Sequence, residues 1–255
     1  MKNAGVTVTL SGLGGQELFS RYPSFRRALK LASLPNASRQ VLRAAAGVGQ
    51  RVLNSTVQQQ KFWALAESNG SPEEVYRISR QLFASGVPAA RNGDGDVVNR
   101  ISRLELQGYM ANTLLRDTDV MSMAHSLEVR VPFVDARVVD FALSLPGEWK
   151  LTHTQNGVPK PLLADAVSDL LPRDFLARKK MGFTLPFEKW MHGQLRDEIA
   201  NVFADERLLA DSGLVAGDAR DVWRRFLRAP RAVGWTRPWS LFVLAQWSRL
   251  NRVTL

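Results

Sequence analysis

A run of β-branched residues that leads directly into a glycine-rich turn is the feature that most constrains the fold. Val6–Leu10 reads Val-Thr-Val-Thr-Leu, a composition typical of a buried strand. Ser11–Gly15 follows with three glycines, and glycine lets the backbone turn sharply or approach a ligand closely. Gln16–Phe19 can then open a helix, with Glu17 in its first turn. Strand, turn and helix in this order predict an α/β connection whose backbone N–H groups can hold an anion.

This turn alone does not identify a chemistry. A glycine-rich connection is common in α/β proteins and is compatible with a purely structural role. It lacks the Lys and Ser/Thr that end a Walker phosphate loop, and it lacks the Gly-x-Ser-x-Gly spacing of a nucleophile elbow. Ser11 is therefore a poor candidate for a hydrolase nucleophile.

Composition excludes several classes of site. The 255 residues suffice for one large domain or two small ones, and the 45% apolar fraction is ordinary for a globular protein. The chain has no cysteine, which excludes disulfides, Cys-ligated metals and cysteine nucleophiles within it. The three histidines are far apart in the sequence and lack metal-type spacing.

No apolar run reaches the roughly 18 residues of a membrane span, and no signal peptide precedes the first strand. We therefore expect a cytoplasmic protein without a membrane partner.

The net charge of +10 is compatible with nucleic acid or with phosphorylated small molecules as partners. The basic residues are spread along the chain, however, and no nucleic-acid-binding motif accompanies them. We expect no nucleic-acid partner.

Helical patterns fill most of the remaining chain. The clearest start is at Ser71, which can act as an N-cap, followed by Pro72 at the first helical position and by two acids. Residues 85–96 are rich in Gly, Pro, Asn and Asp and predict a mobile surface loop. Arg116–Asp135 mixes charged and apolar residues, which predicts a semi-buried polar network that is either structural or part of an active-site wall. Further helices are predicted over 97–124, 138–145, 160–171, 187–203, 218–227 and 239–250.

Three segments together resemble the C-terminal part of the synthetase domain of glutamine-dependent asparagine synthetases. The first is Leu10–Phe19 with Tyr22. The second, which is the most specific, runs from Leu115 to Phe133 and includes Ser-Met-Ala and Leu-Glu-Val-Arg-Val-Pro-Phe. The third contains Lys160 and then Arg-Lys-Lys-Met-Gly-Phe at residues 178–183. The match extends from about Val6 to Trp190.

This resemblance implies an α/β fold of the adenine nucleotide α-hydrolase type, a parallel sheet flanked by helices. For this chain we expect mostly α-helix with one or two N-terminal strands. The implied enzyme is a carbon–nitrogen ligase that uses ATP and Mg²⁺. It activates aspartate as β-aspartyl-AMP, and glutamine-derived ammonia then converts that intermediate to asparagine.

Site residues carry over by position. Ser11 and Gly12 match the turn that contacts the nucleotide. Gln16 falls where the family has a magnesium-binding Asp, so metal binding should weaken because an amide brings no charge. Glu128 matches an active-site glutamate that orients the substrate or a catalytic partner. Lys180 matches a lysine whose ammonium stabilises the charge that develops during the reaction.

Parts of the family pattern are not found in this sequence. The N-terminal glutaminase cysteine and the Ser-Gly-Gly-x-Asp-Ser pyrophosphate loop do not occur. Residues 1–255 are therefore interpreted as the C-terminal portion of a synthetase domain, with an upstream glutaminase and pyrophosphate-loop chain as a candidate partner. Two alternatives stay open, namely a non-catalytic binding or scaffold remnant and a related amide-forming synthetase with another substrate.

Overall fold

The structure is a computed structural model, and it describes residues 5–19, 25, 29, 35, 38, 41, 61, 64, 65, 71–82, 95–151, 160–172, 175 and 185–255. The chain divides into two compact units. The first consists of Met1–Asn36, Ser68–Ser79 and Pro88–Lys180, and the second of Ala37–Glu67, Arg80–Val87 and Met181–Leu255. Within the described ranges, no helix has both the length and the apolar character that a membrane crossing requires.

The first unit contains a sheet of two parallel strands. β1 comprises Val8–Leu10 and β2 comprises Glu128–Arg130, and the two strands are aligned residue for residue. Beyond the end of β1, the backbone N–H of Ser11 donates to the carbonyl oxygen of Arg130 at 2.8 Å. The segments that follow the two strands therefore begin side by side.

The strand predicted at the start of the chain is confirmed, but the prediction that it is buried is wrong. The side chains of Val8 and Leu10 are 40% and 72% exposed. Only the middle residue of each strand, Thr9 and Val129, is half-buried. The reason is that two strands present little surface to cover, whereas parallel sheets are normally covered on both faces. The second strand lies in the middle of the chain rather than near its N-terminus.

Helices make up most of the rest of the first unit. In chain order they are α1 (Gly15–Leu18), α2 (Pro72–Arg80), α3 (Val97–Glu105), a π-helical segment (Leu106–Leu114), α4 (Leu115–Met123), a 3₁₀ turn (Pro132–Val134), α5 (Ala136–Ser144), α6 (Gly147–Leu151) and α7 (Pro161–Ala166). A mostly helical chain with a small parallel sheet is the fold class that the resemblance implies.

Side-chain caps start three of these helices, namely α2, α3 and α5. The hydroxyl of Ser71 accepts a hydrogen bond from the backbone N–H of Glu74 at 3.3 Å, which confirms the predicted start of α2. The carboxylate of Asp96 accepts from the backbone N–H of Asn99 at 2.9 Å and begins α3. Asp96 thus ends the loop predicted over 85–96, most of which lies outside the described residues.

A buried ion pair joins α2 to α3. Glu73 Oε1 lies 2.7 Å from Arg100 Nε, and the side chains are only 8% and 16% exposed. Around them, apolar residues of these two helices are fully or nearly fully buried, among them Val75, Ile78, Val98 and Ile101. A charge pair that is removed from water in this way depends on both partners, because either charge alone would be buried and uncompensated.

A polar network ties the start of α3 to α6. Asn99 donates to the carbonyl oxygen of Leu145 at 2.9 Å, and Asp96 accepts from the backbone N–H of Gly147 at 3.1 Å. Lys150 is buried and its Nζ donates to Asn99 Oδ1 at 2.5 Å. Burial lowers the pKa of Lys150 to about 8, against the opposing attraction of Asp96.

The second unit is described over its C-terminal helices. These are α8 (Phe187–His192), α9 (Arg196–Ala204), α10 (Glu206–Asp211), α11 (Ala216–Arg228), α12 (Pro230–Val233) and α13 (Thr236–Asn251). They enclose one apolar cluster, formed by Met191, Ile199, Val202, Phe203, Leu208, Leu209, Ala219, Trp223, Phe226, Val233, Phe242 and Ala245. The helix predicted over 187–203 is interrupted by Gly193, which ends α8.

Aromatic rings extend this cluster at the start of α8. Phe187 stacks on Trp235 with ring centroids 4.5 Å apart, contacts Trp239 at 4.9 Å and meets Trp190 edge to face at 5.3 Å. Such contacts contribute packing energy beyond the buried area alone. Trp190, Trp235 and Trp239 therefore serve the core. The helical pattern of the last helix also predicts Trp247 as a core residue, and this prediction is wrong, because Trp247 is 47% exposed.

The polar network that was predicted over Arg116–Asp135 does not form as a semi-buried network. Glu128 pairs with Arg130 and Asp135 pairs with Arg137, and the side chains of both pairs are between 43% and 92% exposed. The apolar residues between the charges do not bury the segment, because α4 contributes no buried residue.

Candidate functional site

The Ser11–Gly15 turn lies at the carboxyl end of β1, directly beside the carboxyl end of β2. In open α/β sheets, ligands bind at the carboxyl ends of parallel strands. Besides its bond to Arg130, Ser11 accepts a hydrogen bond at its hydroxyl oxygen from the backbone N–H of Leu13 at 3.4 Å. The N–H of Gly15 points back to the carbonyl oxygen of Gly12 at 3.4 Å. The turn is thus a defined local structure that precedes α1.

Two glycines of this turn lie against neighbouring side chains, and of these two Gly14 is the one that close packing requires. Gly14 has a φ of 92°, and a β-carbon there would lie 2.8 Å from Val134 Cγ2 and 3.0 Å from Phe133 Cβ. A β-carbon on Gly15 would lie 2.9 Å from Lys160 Nζ. The turn therefore packs against the 3₁₀ turn that follows β2 on one side and meets a lysine side chain on the other.

Gly12 differs from these two glycines because nothing lies within 4 Å of the point where its β-carbon would be. Gly12 is exposed and Ser11 is half-buried. A ligand can therefore approach the backbone at Gly12 closely, which the predicted contact with a nucleotide requires.

Glu128 does not lie at this turn. It begins β2 and is aligned with Val8, whereas Ser11 follows the last paired residue of β1. The separation along the strand is about 10 Å, from roughly 3.3 Å per residue. Its carboxylate is engaged by Arg130 Nε at 2.8 Å, and this pair raises the pKa of Arg130. The role predicted for Glu128 stays a prediction.

Gln16 lies in α1, one residue after Gly15, and is half-buried. Its neighbour Glu17 is buried, with 1% of its surface exposed. Among the residues that the structure describes, no group of three or more His, Asp or Glu could hold a metal ion. Gln16 offers an amide oxygen without charge, whereas Mg²⁺ is usually held by one or two carboxylates together with the phosphates of the substrate, so Gln16 fits a magnesium ligand poorly.

Lys180, the predicted catalytic lysine, lies outside the described residues. The structure instead brings a different lysine to the turn, namely Lys160. Lys160 lies in the third segment that resembles the family, and the resemblance implies no role for it. The local sequence does not signal this placement, because a residue before proline favours an extended backbone, whereas Lys160 has a φ of 55°.

An open cleft of about 520 Å³ lies along the segment that follows β2. Its lining includes Pro132, Phe141 and the charged pair Asp135 and Arg137. The hydrogen bonds from Arg137 lower the pKa of the Asp135 carboxyl group. Asp135 also accepts from the backbone N–H of Arg137 at 3.0 Å and so begins α5, which accounts for this carboxylate structurally.

Comparison with known proteins gives the family of the chain. The family model described as asparagine synthase matches residues 1–249. The chain is 28% identical over 225 residues to asparagine synthetase [glutamine-hydrolyzing] 1 of Bacillus subtilis (strain 168), which covers 79% of this chain and 34% of the relative. It is 30% identical over 203 residues to a putative asparagine synthetase [glutamine-hydrolyzing] of Mycobacterium tuberculosis (strain ATCC 25618 / H37Rv), which covers 73% of this chain and 31% of the relative.

A shorter stretch of higher similarity joins the chain to an animal protein. It is 39% identical over 84 residues to asparagine synthetase [glutamine-hydrolyzing] of Gallus gallus, which covers 32% of this chain and 14% of the relative. No solved structure is matched. The chain spans about a third of the length of the bacterial relatives. Since the family model matches nearly all of its residues, the chain belongs to the asparagine synthase family.

Proposed function

We propose that this chain supplies part of the site of an ATP-dependent asparagine synthetase. The observation that carries the proposal is the Ser11–Gly15 turn at the carboxyl end of β1, in a chain of the asparagine synthase family. The open space at Gly12 supports a contact between the backbone and the nucleotide.

The proposed reaction has two steps. An oxygen of the aspartate β-carboxylate attacks the α-phosphorus of ATP, the bond between the α-phosphorus and the bridging oxygen breaks, and pyrophosphate leaves. Ammonia then attacks the acyl carbon of β-aspartyl-AMP, loses a proton, and displaces AMP. The ammonia derives from glutamine in the family, and the chain lacks the cysteine that a glutaminase of this type uses.

Each residue has a separate task in this proposal. Ser11 and Gly12 present backbone groups to the nucleotide, and Ser11 also holds the turn through Leu13. Lys180 stabilises negative charge as the acyl-adenylate forms and breaks down. Glu128 orients the substrate or a partner group. Mg²⁺ is expected from the family, but no step is assigned to it, because Gln16 brings an uncharged amide to a position where an acid would be needed.

A nucleotide-binding protein without ligase activity is the second candidate. Two observations favour it, namely the neutral Gln16 and the engagement of the Glu128 carboxylate by Arg130 at 2.8 Å. Under this interpretation the turn binds the nucleotide while the groups that drive the chemistry have lost that role. The remaining alternative is a related amide-forming synthetase with another substrate. It would use the same turn and differ from the proposed enzyme only in its substrates.

The test is release of AMP and pyrophosphate by the purified chain with Mg-ATP, aspartate and ammonia. Ammonia replaces the glutaminase step. Turnover that requires aspartate and is lost in Lys180→Ala, but not in the neighbouring control Lys179→Ala, supports the proposal. Binding of AMP without turnover, even after the unmatched part of the B. subtilis relative is added, supports the second candidate. Turnover that does not require aspartate supports another substrate.

A further inference from the structure

A cleft in the second unit is lined mainly by charged side chains. It measures about 430 Å³ and is formed by residues of α10, of the end of α13 and of the segment that follows α13. Three of the lining residues are arginines, namely Arg207, Arg249 and Arg252. Two are acids, Asp205 and Asp211, so guanidinium groups outnumber carboxylates. The charge of the cleft therefore favours an anion over a cation.

Backbone hydrogen bonds hold the walls of this cleft together. Where α13 ends, the N–H of Val253 donates to the carbonyl oxygen of Ser248 at 3.0 Å and turns the chain back. The N–H of Leu255 then donates to the carbonyl oxygen of Asp211 at 2.9 Å, at the end of α10. Side chains from segments distant in sequence are thereby held around one space.

The acids of the cleft already have partners, whereas two of its arginines do not. Asp205 accepts a hydrogen bond from a backbone N–H at 2.9 Å and so begins α10. Asp211 lies 3.9 Å from Arg207. With the residues that the structure describes, Arg249 and Arg252 form neither an ion pair nor a side-chain hydrogen bond. Their guanidinium groups are therefore available to a ligand.

A buried hydroxyl group of the cleft also lacks a partner. Ser248 lines the cleft and is 2% exposed, yet its Oγ has no hydrogen-bond partner in the described part of the chain. By contrast, the buried hydroxyl of Ser212 donates to the carbonyl oxygen of Leu208 at 2.7 Å. A hydroxyl that is removed from water without a partner destabilises the fold. A ligand oxygen in the cleft can accept this hydrogen bond and offset the cost.

These donors together match a phosphate group. Arginine forms paired hydrogen bonds with phosphate oxygens, and a phosphate has enough oxygens to accept from a hydroxyl as well. The volume of the cleft lies within the range of small-molecule sites. We propose that the cleft binds the phosphate group of inorganic phosphate or of a small phosphate ester, held by Arg249, Arg252 and the hydroxyl of Ser248. This inference is independent of the Ser11–Gly15 turn, which belongs to the first unit.

The test is titration calorimetry of the whole chain with inorganic phosphate and, separately, with glycerol phosphate. Arg249→Gln removes one guanidinium group and should weaken binding of the tighter ligand roughly tenfold, the size expected for a charged hydrogen bond. Arg228→Gln is the matched control, because Arg228 is also exposed and lies in the last turn of α11 but does not line the cleft. It should leave the affinity within about twofold, since salt screens a charge that does not contact the ligand.

Ser248→Ala and Ser212→Ala form a second matched pair. Both serines are buried, but only the hydroxyl of Ser212 has an acceptor in the protein. Ser248→Ala should weaken phosphate binding several-fold without lowering the midpoint of thermal unfolding, because the hydroxyl that it removes has no protein partner. Ser212→Ala should lower that midpoint and leave the affinity for phosphate unchanged.

Two further variants make the result independent of any single substitution. Asp211→Asn removes negative charge from the same cleft and should strengthen binding by up to about fivefold, since an exposed charge has a modest effect. Arg252→Asn removes the second free guanidinium group and keeps a residue that tolerates the left-handed backbone at this position, where φ is 53°. It should weaken binding as Arg249→Gln does, so a folding defect in one variant does not leave the question open.

Unchanged affinity in Arg249→Gln or in Ser248→Ala overturns the inference. Equal losses in Arg249→Gln and Arg228→Gln overturn it too, as does the absence of binding of both ligands at millimolar concentration. Tighter binding of inorganic phosphate, lost in Arg249→Gln, identifies the free ion as the ligand. Tighter binding of glycerol phosphate, lost in the same variant, identifies a phosphate ester.

Discussion

The ammonium nitrogen of Lys160 lies 2.9 Å from the point at which a β-carbon on Gly15 would stand. The two residues are 145 positions apart in the chain, yet each restricts the other. Gly15 leaves the space that the ammonium group occupies, and Lys160 gives the glycine turn a positive charge. This relationship leads to the first of four predictions.

Gly15→Ala should affect ligand binding more than stability. Its β-carbon would meet the end of a flexible side chain, which can move away, so we expect the free energy of unfolding to change by less than about 1 kcal/mol. Because the Lys160 ammonium group moves away from the turn, an anion such as inorganic pyrophosphate should bind there several-fold more weakly. Calorimetric titration and thermal unfolding of the same sample check both parts. A large loss of stability together with unchanged binding would contradict the prediction.

Gly14→Ala should affect stability first. Gly14 has a φ of 92°, and its β-carbon would press on Val134 and Phe133, which belong to a packed turn and not to a flexible end. We expect a loss of about 1–3 kcal/mol in the free energy of unfolding, the range for a residue in a sparsely populated backbone region. Urea denaturation measures it.

Gly12→Ala is the control for this measurement, because Gly12 has open space and no positive φ. Its effect on the free energy of unfolding should remain within about 0.5 kcal/mol, as for most surface substitutions. Equal losses at Gly12 and Gly14 would show that the packing against Phe133 and Val134 is not the cause.

The buried Lys150 should make stability depend on pH in the alkaline range. Its folded-state pKa is about 8, below the value of about 10.4 in an unfolded chain. Between these two values the unfolded chain binds more protons, so the contribution of Lys150 to the free energy of unfolding rises with pH from about 8 to about 10.4. Lys150→Met removes this titration.

The measurement is chemical denaturation at pH 7.5, 8.5, 9.5 and 10.5 for the chain and for Lys150→Met. We expect the difference in free energy of unfolding between them to move in favour of the lysine form as pH rises. Other groups titrate equally in both proteins and cancel in the difference. A difference that is constant with pH would refute the assignment to Lys150.

The ion pair between Glu73 and Arg100 should contribute far more than an exposed pair. Arg100→Met leaves the Glu73 carboxylate, whose side chain is 8% exposed, without its charge partner, and we expect a loss of about 3–5 kcal/mol. Arg137→Met removes a partner of Asp135 that is 92% exposed, and it should lower the free energy of unfolding far less, because water screens an exposed pair. Urea denaturation at neutral pH compares the two variants. A similar loss in both would show that burial does not set the strength of the α2–α3 pair.

Local sequence patterns predicted much of the fold because the forces behind them act over a few residues. Ser71 followed by Pro72 predicts the start of α2, since a hydroxyl cap and a proline at the first helical position need only their own turn. The β-branched run before Ser11 predicts β1 in the same way. Family membership was also predictable, because the resembling segments are continuous stretches of the chain.

The surroundings of these elements were not predictable in this way. Whether Val8 and Leu10 are buried depends on how many strands pair with β1, and the pattern of a single strand does not contain that number. Glu128 matched an active-site position by sequence, yet its place relative to Ser11 follows from the register of two strands far apart in the chain. The π-helical segment from Leu106 to Leu114 was predicted only as continuous helix, because its hydrophobic spacing resembles that of an α-helix.

The sequence by itself determined the strand, turn and helix around Ser11–Gly15, the helical character of the chain and its family. These properties follow from backbone preferences and from the order of neighbouring residues. The tertiary structure alone decided that Gly14 packs on Phe133, that Glu128 lies opposite Val8, and that Lys160 stands at the glycine turn. The physical reason is that such contacts join residues distant in sequence, so they depend on how strands pair and helices pack rather than on any local pattern.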